Sequence, residues 1–222
     1  TLRVDYVRFL TMMEQYEMAL EQARAVYQIA PDDPQAVAMY AYAVARAGVN
    51  EPQTSQALDN ALATHRNDAG LLLAAATYYT AQNDFARAEQ YLRQAEATGT
   101  SPAEIALRRD AMRQREEQLA LEGARDLYRA GQYQQAASAY DSYFQQTGET
   151  PRQAVREQAA AFVNAGDYAS AIAALETLQR LEYGDDEQVL IARYRYDSGD
   201  YAGAAEAARI ASSRRPDRVD AR

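Results

Sequence analysis

Small and hydrophobic positions return along this chain in one recurring phrase: a turn, an aromatic residue, then a helix-spaced stripe of alanine and leucine. Gly199-Asp-Tyr-Ala-Gly-Ala-Ala-Glu-Ala-Ala-Arg-Ile-Ala is its plainest copy, closed by Pro216. Ala204, Ala208 and Ala211 fall at i, i+4 and i+7, a narrow small-residue face on a helix. Gly199 suits the left-handed residue that ends one helix, Asp200 suits the cap of the next, and Pro216 cannot continue it. The same turn recurs as Glu14-Gln-Tyr16, Gly48-Val-Asn50, Asn83-Asp-Phe85, Gly131-Gln-Tyr133, Gly166-Asp-Tyr168 and Gly199-Asp-Tyr201. Successive copies start 34, 35, 48, 35 and 33 residues apart.

Behind each aromatic comes a small residue three positions on (Ala19, Ala88, Ala136, Ala171, Ala204), and four further on Ala23, Leu92, Tyr140, Leu175 or Ala208. Small residues at such points let two antiparallel helices approach closely while larger neighbours fill the gap. The preceding helix carries its own pattern, clearest in Leu72-x2-Ala75-Ala76-x2-Tyr79 and Val155-x2-Gln158-Ala159-x2-Phe162. Val37-x2-Tyr40-Ala41-x2-Val44 and Ala120-x2-Gly123-Ala124-x2-Leu127 match it less fully. Asp33-Pro34, Ser101-Pro102 and Thr150-Pro151 place a capping side chain before a proline at the first helical position. Ser101 with Glu104, and Thr150 with Gln153, have the spacing of capping boxes.

A period near 34 on a helix–turn–helix pattern resembles the tetratricopeptide repeat family, in its bacterial-type arrays, over nearly the whole chain. Two features depart from that family: no Trp opens any repeat, and only the first and last repeats end in Pro, at Pro31 and Pro216. The resemblance implies an all-α fold, an α-α superhelix of about six helix–turn–helix repeats with one extended helix in the middle.

Two places break the rhythm. In the second repeat Asn50-Glu-Pro52 replaces the usual turn, so the second helix starts late and its small pair slides to Ala57 and Ala61. The interval of 48 inserts a segment after Pro102 that holds no Pro or Gly, Glu104 to Gln118. One helix from about Pro102 to Ala130 is expected there. Ile105, Met112 and Leu119 recur only every seven residues on it, a thin apolar stripe among charges. The domain organisation expected is residues 1–102 as repeats one to three, 103–116 as a solvated helical spacer continuous with the next repeat, with a docking helix or hinge-like element as the alternative, and 117–222 as repeats four to six. The chain starts at Thr1 already inside a helical pattern, and Asp217 to Arg222 repeats the Asp32-Asp-Pro-Gln-Ala helix start. It therefore reads as a piece of a longer array whose end faces stack on neighbouring molecules.

Composition narrows the chemistry. Net charge is −9, every one of the 23 basic residues is Arg, and cysteine is absent. Acidity argues against duplex nucleic acid as partner, and no apolar run approaches a membrane span. Without Cys, and with His65 as the only histidine, a zinc site would need carboxylates alone, and no such cluster shows. His65 ends a helix and suits its dipole. The pairs Asp32–Asp33 and Asp185–Asp186 stand at helix starts, where capping explains them better than acid–base catalysis. No Gly-rich phosphate loop occurs. No catalytic residue, cofactor or metal is assigned.

What remains is surface. Stacked helical hairpins make an open solenoid whose first helices line a concave groove, and the resemblance implies that this groove holds an extended peptide, a helix or a tail. The register puts Arg8, Met12, Tyr42, Arg46, Thr77, Arg125, Tyr128, Arg129, Arg156, Asn164, Arg193 and Tyr196 on the inner face. Arginine forks carboxylates and stacks on aromatics, so an acidic segment is the expected partner, with pairing to Glu or Asp of an adjacent helix as the opposing expectation. The Lys and Asn positions of the family's carboxylate clamp are not carried over, since Val4 and Arg8 stand at the first pair. The reading is a non-enzymatic interaction scaffold. The alternatives are the periplasmic repeat region of an envelope assembly or exopolysaccharide-secretion protein, its acidic surface guiding a polysaccharide, and an accessory domain of an enzyme.

Overall fold

Each hairpin turn needs one residue in the left-handed region, and the positions that supply it set the architecture. In the computed structural model, which describes residues 2–180 and 185–214, φ is positive at Glu14 (57°), Gly48 (66°), Asn83 (63°), Gly131 (76°), Gly166 (83°) and Gly199 (88°). These six are the first residues of the six recurring turns. Glycine takes this conformation freely, whereas Glu14 and Asn83 take it against their own Cβ.

The turns divide the chain into helices that pair in order. The first unit, Thr1–Glu116, contains α1 (Leu2–Met12), α2 (Tyr16–Ile29), α3 (Pro34–Ala47), α4 (Gln53–Thr64), α5 (Ala69–Ala81), α6 (Phe85–Ala97) and the opening of α7 (Pro102–Arg129). The second, Glu117–Arg222, contains the rest of α7, α8 (Tyr133–Thr147), α9 (Arg152–Asn164), α10 (Tyr168–Arg180), α11 (Asp185–Asp197) and α12 (Tyr201–Arg214). No strand occurs among the described residues. The fold is all-α, built of helix–turn–helix repeats with the extended α7 as the helix expected in the middle.

Alanine marks the closest approaches. Ala23, Ala88, Ala136 and Ala171 have no exposed surface, and Leu92 and Leu175 are as deep. In the first unit Val37, Tyr40, Leu58, Leu71 and Ala75 join α3, α4 and α5 into one core. α5 buries nearly all its length, from Leu71 to Tyr79, because helices flank it on more than one side. In the second unit Val155, Ala171, Leu175, Leu178 and Ile191 do the same for α9, α10 and α11. α4 starts at Gln53, one residue after Pro52, with Ala57 and Ala61 buried.

Side-chain caps form at several helix starts. Asp33 accepts from Gln35 N at 3.0 Å, Asp68 from Leu71 N at 2.8 Å, Asp84 from Arg87 N at 3.1 Å and Asp167 from Ser170 N at 3.0 Å. At α9 the expectation fails. Pro151 with ψ of 131° is the N-cap and makes no side-chain cap bond, so Thr150 stands one residue too early. Gln153, expected to close that capping box, donates instead to Glu157 Oε1 at 3.0 Å. At Ser101 the backbone carbonyl accepts from Glu104 N at 3.0 Å. His65 is the C-cap of α4.

The segment 103–116 is not wholly solvated. Ile105 is buried with Leu72, Leu92 and Ala95, and Arg109 forks Glu89 at 3.2 and 3.1 Å while reaching Glu96 at 3.0 Å. Arg115 donates to Asn83 Oδ1 at 3.1 Å. Pro216, the helix start expected over Asp217 to Arg222, and the side chains of Asp185 and Asp186 lie outside the described residues.

Three substitutions test this register. Ala171→Leu overpacks the contact of α10 with α9 and should lower stability by about 1–3 kcal/mol, read by urea unfolding; a parental midpoint would displace the assigned contact. Glu14→Gly relieves the left-handed strain at an exposed turn and should raise stability by up to about 1 kcal/mol, whereas Gly166→Glu should lower it by a similar amount.

Candidate functional site

First helices of successive hairpins run side by side, so residues one repeat apart on them become neighbours. In the first unit this produces a cavity of about 600 Å³. Its walls come from α1 (Arg8), α3 (Pro34, Gln35, Ala38, Met39, Tyr42), α5 (Asp68, Gly70, Leu73, Ala74) and α7 (Glu104, Arg108). Of the residues expected on the inner face, Arg8 and Tyr42 meet here. Arg8 is mostly exposed, with Asp5 at 4.0 Å as a loose partner. Asp68 is committed to capping α5 through Leu71 N. Thr77 turns its hydroxyl back to Leu73 O at 2.8 Å.

A smaller cavity of about 280 Å³ lies in the second unit, lined by Arg125, Tyr128 and Arg129 of α7, Tyr140 of α8, and Glu157 and Ala160 of α9. Three expected residues therefore share a wall. They do not form a free cationic patch. Arg125 forks Glu157 at 2.9 and 3.2 Å, and Tyr140 donates its hydroxyl to the same carboxylate at 3.0 Å. Burial disfavours the charge on Glu157, yet the bonds from Arg125, Gln153 and Tyr140 outweigh it and hold this carboxyl below its usual 4.5. Burial, then the bond to Glu157, raises the Tyr140 hydroxyl. Asn164 donates to Tyr128 Oη at 2.9 Å, and Tyr128 meets Tyr133 edge to face at 5.3 Å. Arg129 pairs with Asp126 on its own helix.

The other expected arginines are also engaged. Arg156 Nε lies 3.1 Å from Glu187 Oε1 without hydrogen-bond alignment, while Arg152 makes the aligned bonds to Glu187, at 2.8 and 3.0 Å. Arg46 stacks over the Tyr16 ring at 4.7 Å and donates to its hydroxyl, away from Arg8 and beside the α1–α2 turn. Arg193 has Asp197 at 3.8 Å on its own helix. Tyr196 is exposed and meets Tyr201 edge to face at 5.3 Å. A carboxylate or a tyrosine stands beside each of these cations, loosely at Arg8, and Arg46, Arg193 and Tyr196 line neither of these two cavities.

Several participants were not singled out in the sequence. Glu157 and Glu187 stand 32 and 35 residues after Arg125 and Arg152, close to one repeat, and that spacing is a signal the sequence carries. Arg24, Tyr40 and Gln53 converge on Glu51, with Gln53 Nε2 at 2.9 Å from its Oε2; no periodicity marks this cluster, because Glu51 sits in the irregular turn of the second repeat. Arg108, Met39 and Leu73 became cavity walls through packing alone.

Among the described residues no group of three His, Asp or Glu is placed to hold a metal ion, and no helix is long and apolar enough to cross a membrane. Residues 121–185 match the tetratricopeptide repeat family. No curated protein matches the chain in sequence. Similar solved structures include the tetratricopeptide domain of P58(IPK), with 18% identity and TM-score 0.46 over 99% of this chain and 61% of that one. The complex of Naa15/Naa10 with HypK-THB gives 18% identity and TM-score 0.40, covering 99% of this chain and 37% of that one. The TPR2AB domain of yeast Sti1 in complex with pHSP90 gives 15% and 0.38, covering 95% and 88%. The chain thus spans under two thirds of the first two chains it resembles.

Glu157 has a pH consequence. Its folded-state value lies below the ordinary 4.5, so its stabilisation is complete above that value and is lost as pH falls through the lowered one. Glu157→Gln should cost about 1–2 kcal/mol at neutral pH, discounted for the partial exposure of Arg125. It should also flatten the decline in stability as pH falls below the ordinary 4.5, measured by denaturant titration at a series of acidic pH values.

Proposed function

We propose that this tetratricopeptide repeat chain is a non-catalytic scaffold that holds a segment of another protein against the first helices of its hairpins. The observation that carries the reading is the concave cavity of about 600 Å³, walled by four successive first helices. Its surface is mixed: Ala38, Met39 and Tyr42 are half-buried and offer apolar contact, while Gln35 and Arg8 are exposed polar groups. Capped helices that are already packed lose little freedom when a partner settles between them, which favours binding by an ordered groove. The smaller cavity beside Tyr128 and Ala160 in the second unit is a further contact place of the same kind.

The arginines do not make both cavities equally attractive to anions. Arg125 serves Glu157 and cannot be released without stranding a carboxylate beside Tyr140. Arg125→Glu would therefore disturb the fold as well as any binding, and charge reversal at Arg129 alone is the cleaner probe of this wall.

A photo-reactive amino acid placed at Tyr42 and at Ala160, against control positions Asp59 on α4 and Ser142 on α8, tests the reading in the cells that make the protein. Both controls are exposed on second helices. One and the same partner should be captured several-fold more from the groove positions. Equal capture from Asp59 and Ser142 would move the contact surface off the first helices.

A further inference from the structure

The extra turns of α7 put one arginine, Arg108, in the cavity wall without an ion pair among the described residues. Arg108 lines the first unit's cavity, and its Nε is buried without a hydrogen-bond partner. Among the described residues it enters no ion pair, in contrast to Arg109 beside it, which holds Glu89 and Glu96 at 3.1 and 3.0 Å. Two carboxylates share the cavity wall. Asp68 is turned onto Leu71 N, 2.8 Å away. Glu104 lies one turn before Arg108 on the same helix and is exposed; an i,i+4 pair between them is sterically available yet is not formed. The buried Nε is closed to any ligand, so what this cavity leaves open is the terminal pair of guanidinium nitrogens, a planar fork matched to a carboxylate. Met39, Leu73 and Ala74 provide an apolar floor next to it.

We propose that Arg108 is the carboxylate seat of the first unit's groove, and that the segment bound there carries an Asp or Glu adjacent to an apolar residue. This rests on the scaffold reading and adds the chemistry of its occupant. It gives the inserted stretch 103–116 a role beyond spacing: Glu104 and Arg108 of that stretch form the α7 wall of the cavity and its anchor. The charge is local. The chain as a whole is at −9, so the seat attracts an acidic side chain at short range, while the rest of the surface repels acidic chains at long range.

The test selects random nine-residue peptides displayed on phage against the full chain, with the selection repeated on Arg108→Met, Glu104→Gln and Ala38→Trp, and on Arg3→Met as an exposed control outside the cavity. Parental thermal unfolding is required of each variant. The chain should enrich peptides with Asp or Glu beside Leu, Ile, Val or Phe. Affinity for the best of them, read by fluorescence anisotropy, should fall about tenfold or more on Arg108→Met or on Asp/Glu→Asn/Gln in the peptide, an effect expected of a lost charge-assisted fork. Glu104→Gln, which removes a competing carboxylate, should strengthen it severalfold, Ala38→Trp should abolish it by filling the groove, and Arg3→Met should leave it unchanged. Selected peptides without acidic enrichment, or acidic peptides indifferent to Arg108→Met, would overturn the seat and leave the scaffold standing. Failure to select any peptide, or selected peptides indifferent to Ala38→Trp, would remove the groove itself.

Discussion

The close approach of paired helices at alanine is the constraint on which the rest of this protein depends. Ala23, Ala88, Ala136 and Ala171 are wholly buried at the hairpin contacts, and a larger side chain at any of them would push two backbones apart. With each hairpin closed at that distance, the left-handed turn residue becomes obligatory, because the chain must reverse within three residues at five of the hairpins and within five at α3–α4. Four glycines and two strained residues, Glu14 and Asn83, meet this demand. Tight hairpins bring their first helices side by side, and only then does a concave wall exist to carry function.

That wall is finished by charge pairing across it. Arg125 with Glu157 and Arg152 with Glu187 join first helices of neighbouring hairpins, and Glu187 is fully buried between two guanidiniums. Such pairs hold orientation more than they add stability, since desolvating a carboxylate offsets much of the Coulombic gain. Leaving one member alone is the expensive state, so these arginines belong to the framework. The cations in these pairs are committed, whereas Arg108 enters no ion pair among the described residues.

α7 connects these two themes. Its 28 residues run without a breaker from Pro102 to Arg129, and the boundary between the two compact units falls within it. The opening turns bury Ile105 and tie Arg109 to α6, while the later turns bury Ala124 against Tyr140 and Ala154. One helix thus serves two cores, at the cost of a charged middle that neither core could accept.

How much of this was legible beforehand depends on the range of the interaction. Helix positions, the six turns, the delayed start at Pro52 and the unbroken α7 follow from local rules: periodicity, capping and the conformational freedom of single residues, all carried within a few positions of one another. The fold class follows with them, because a hairpin that buries only one face dictates stacking. Local rules failed at Thr150, where the conformation of Pro151 moved the helix start by one residue. They were also silent on which arginines stay available. The sequence placed Arg8, Arg125, Arg129 and Arg156 on one face but did not reveal Glu157 or Glu187 opposite them, because a charge partner about one repeat away is chosen by the stagger of two packed helices. Tertiary packing alone decided that Arg125 and Arg156 are engaged, that Arg46 turns to Tyr16, and that Arg108 lines the cavity without an ion pair among the described residues, since side-chain availability depends on distances that exist only once the hairpins have stacked.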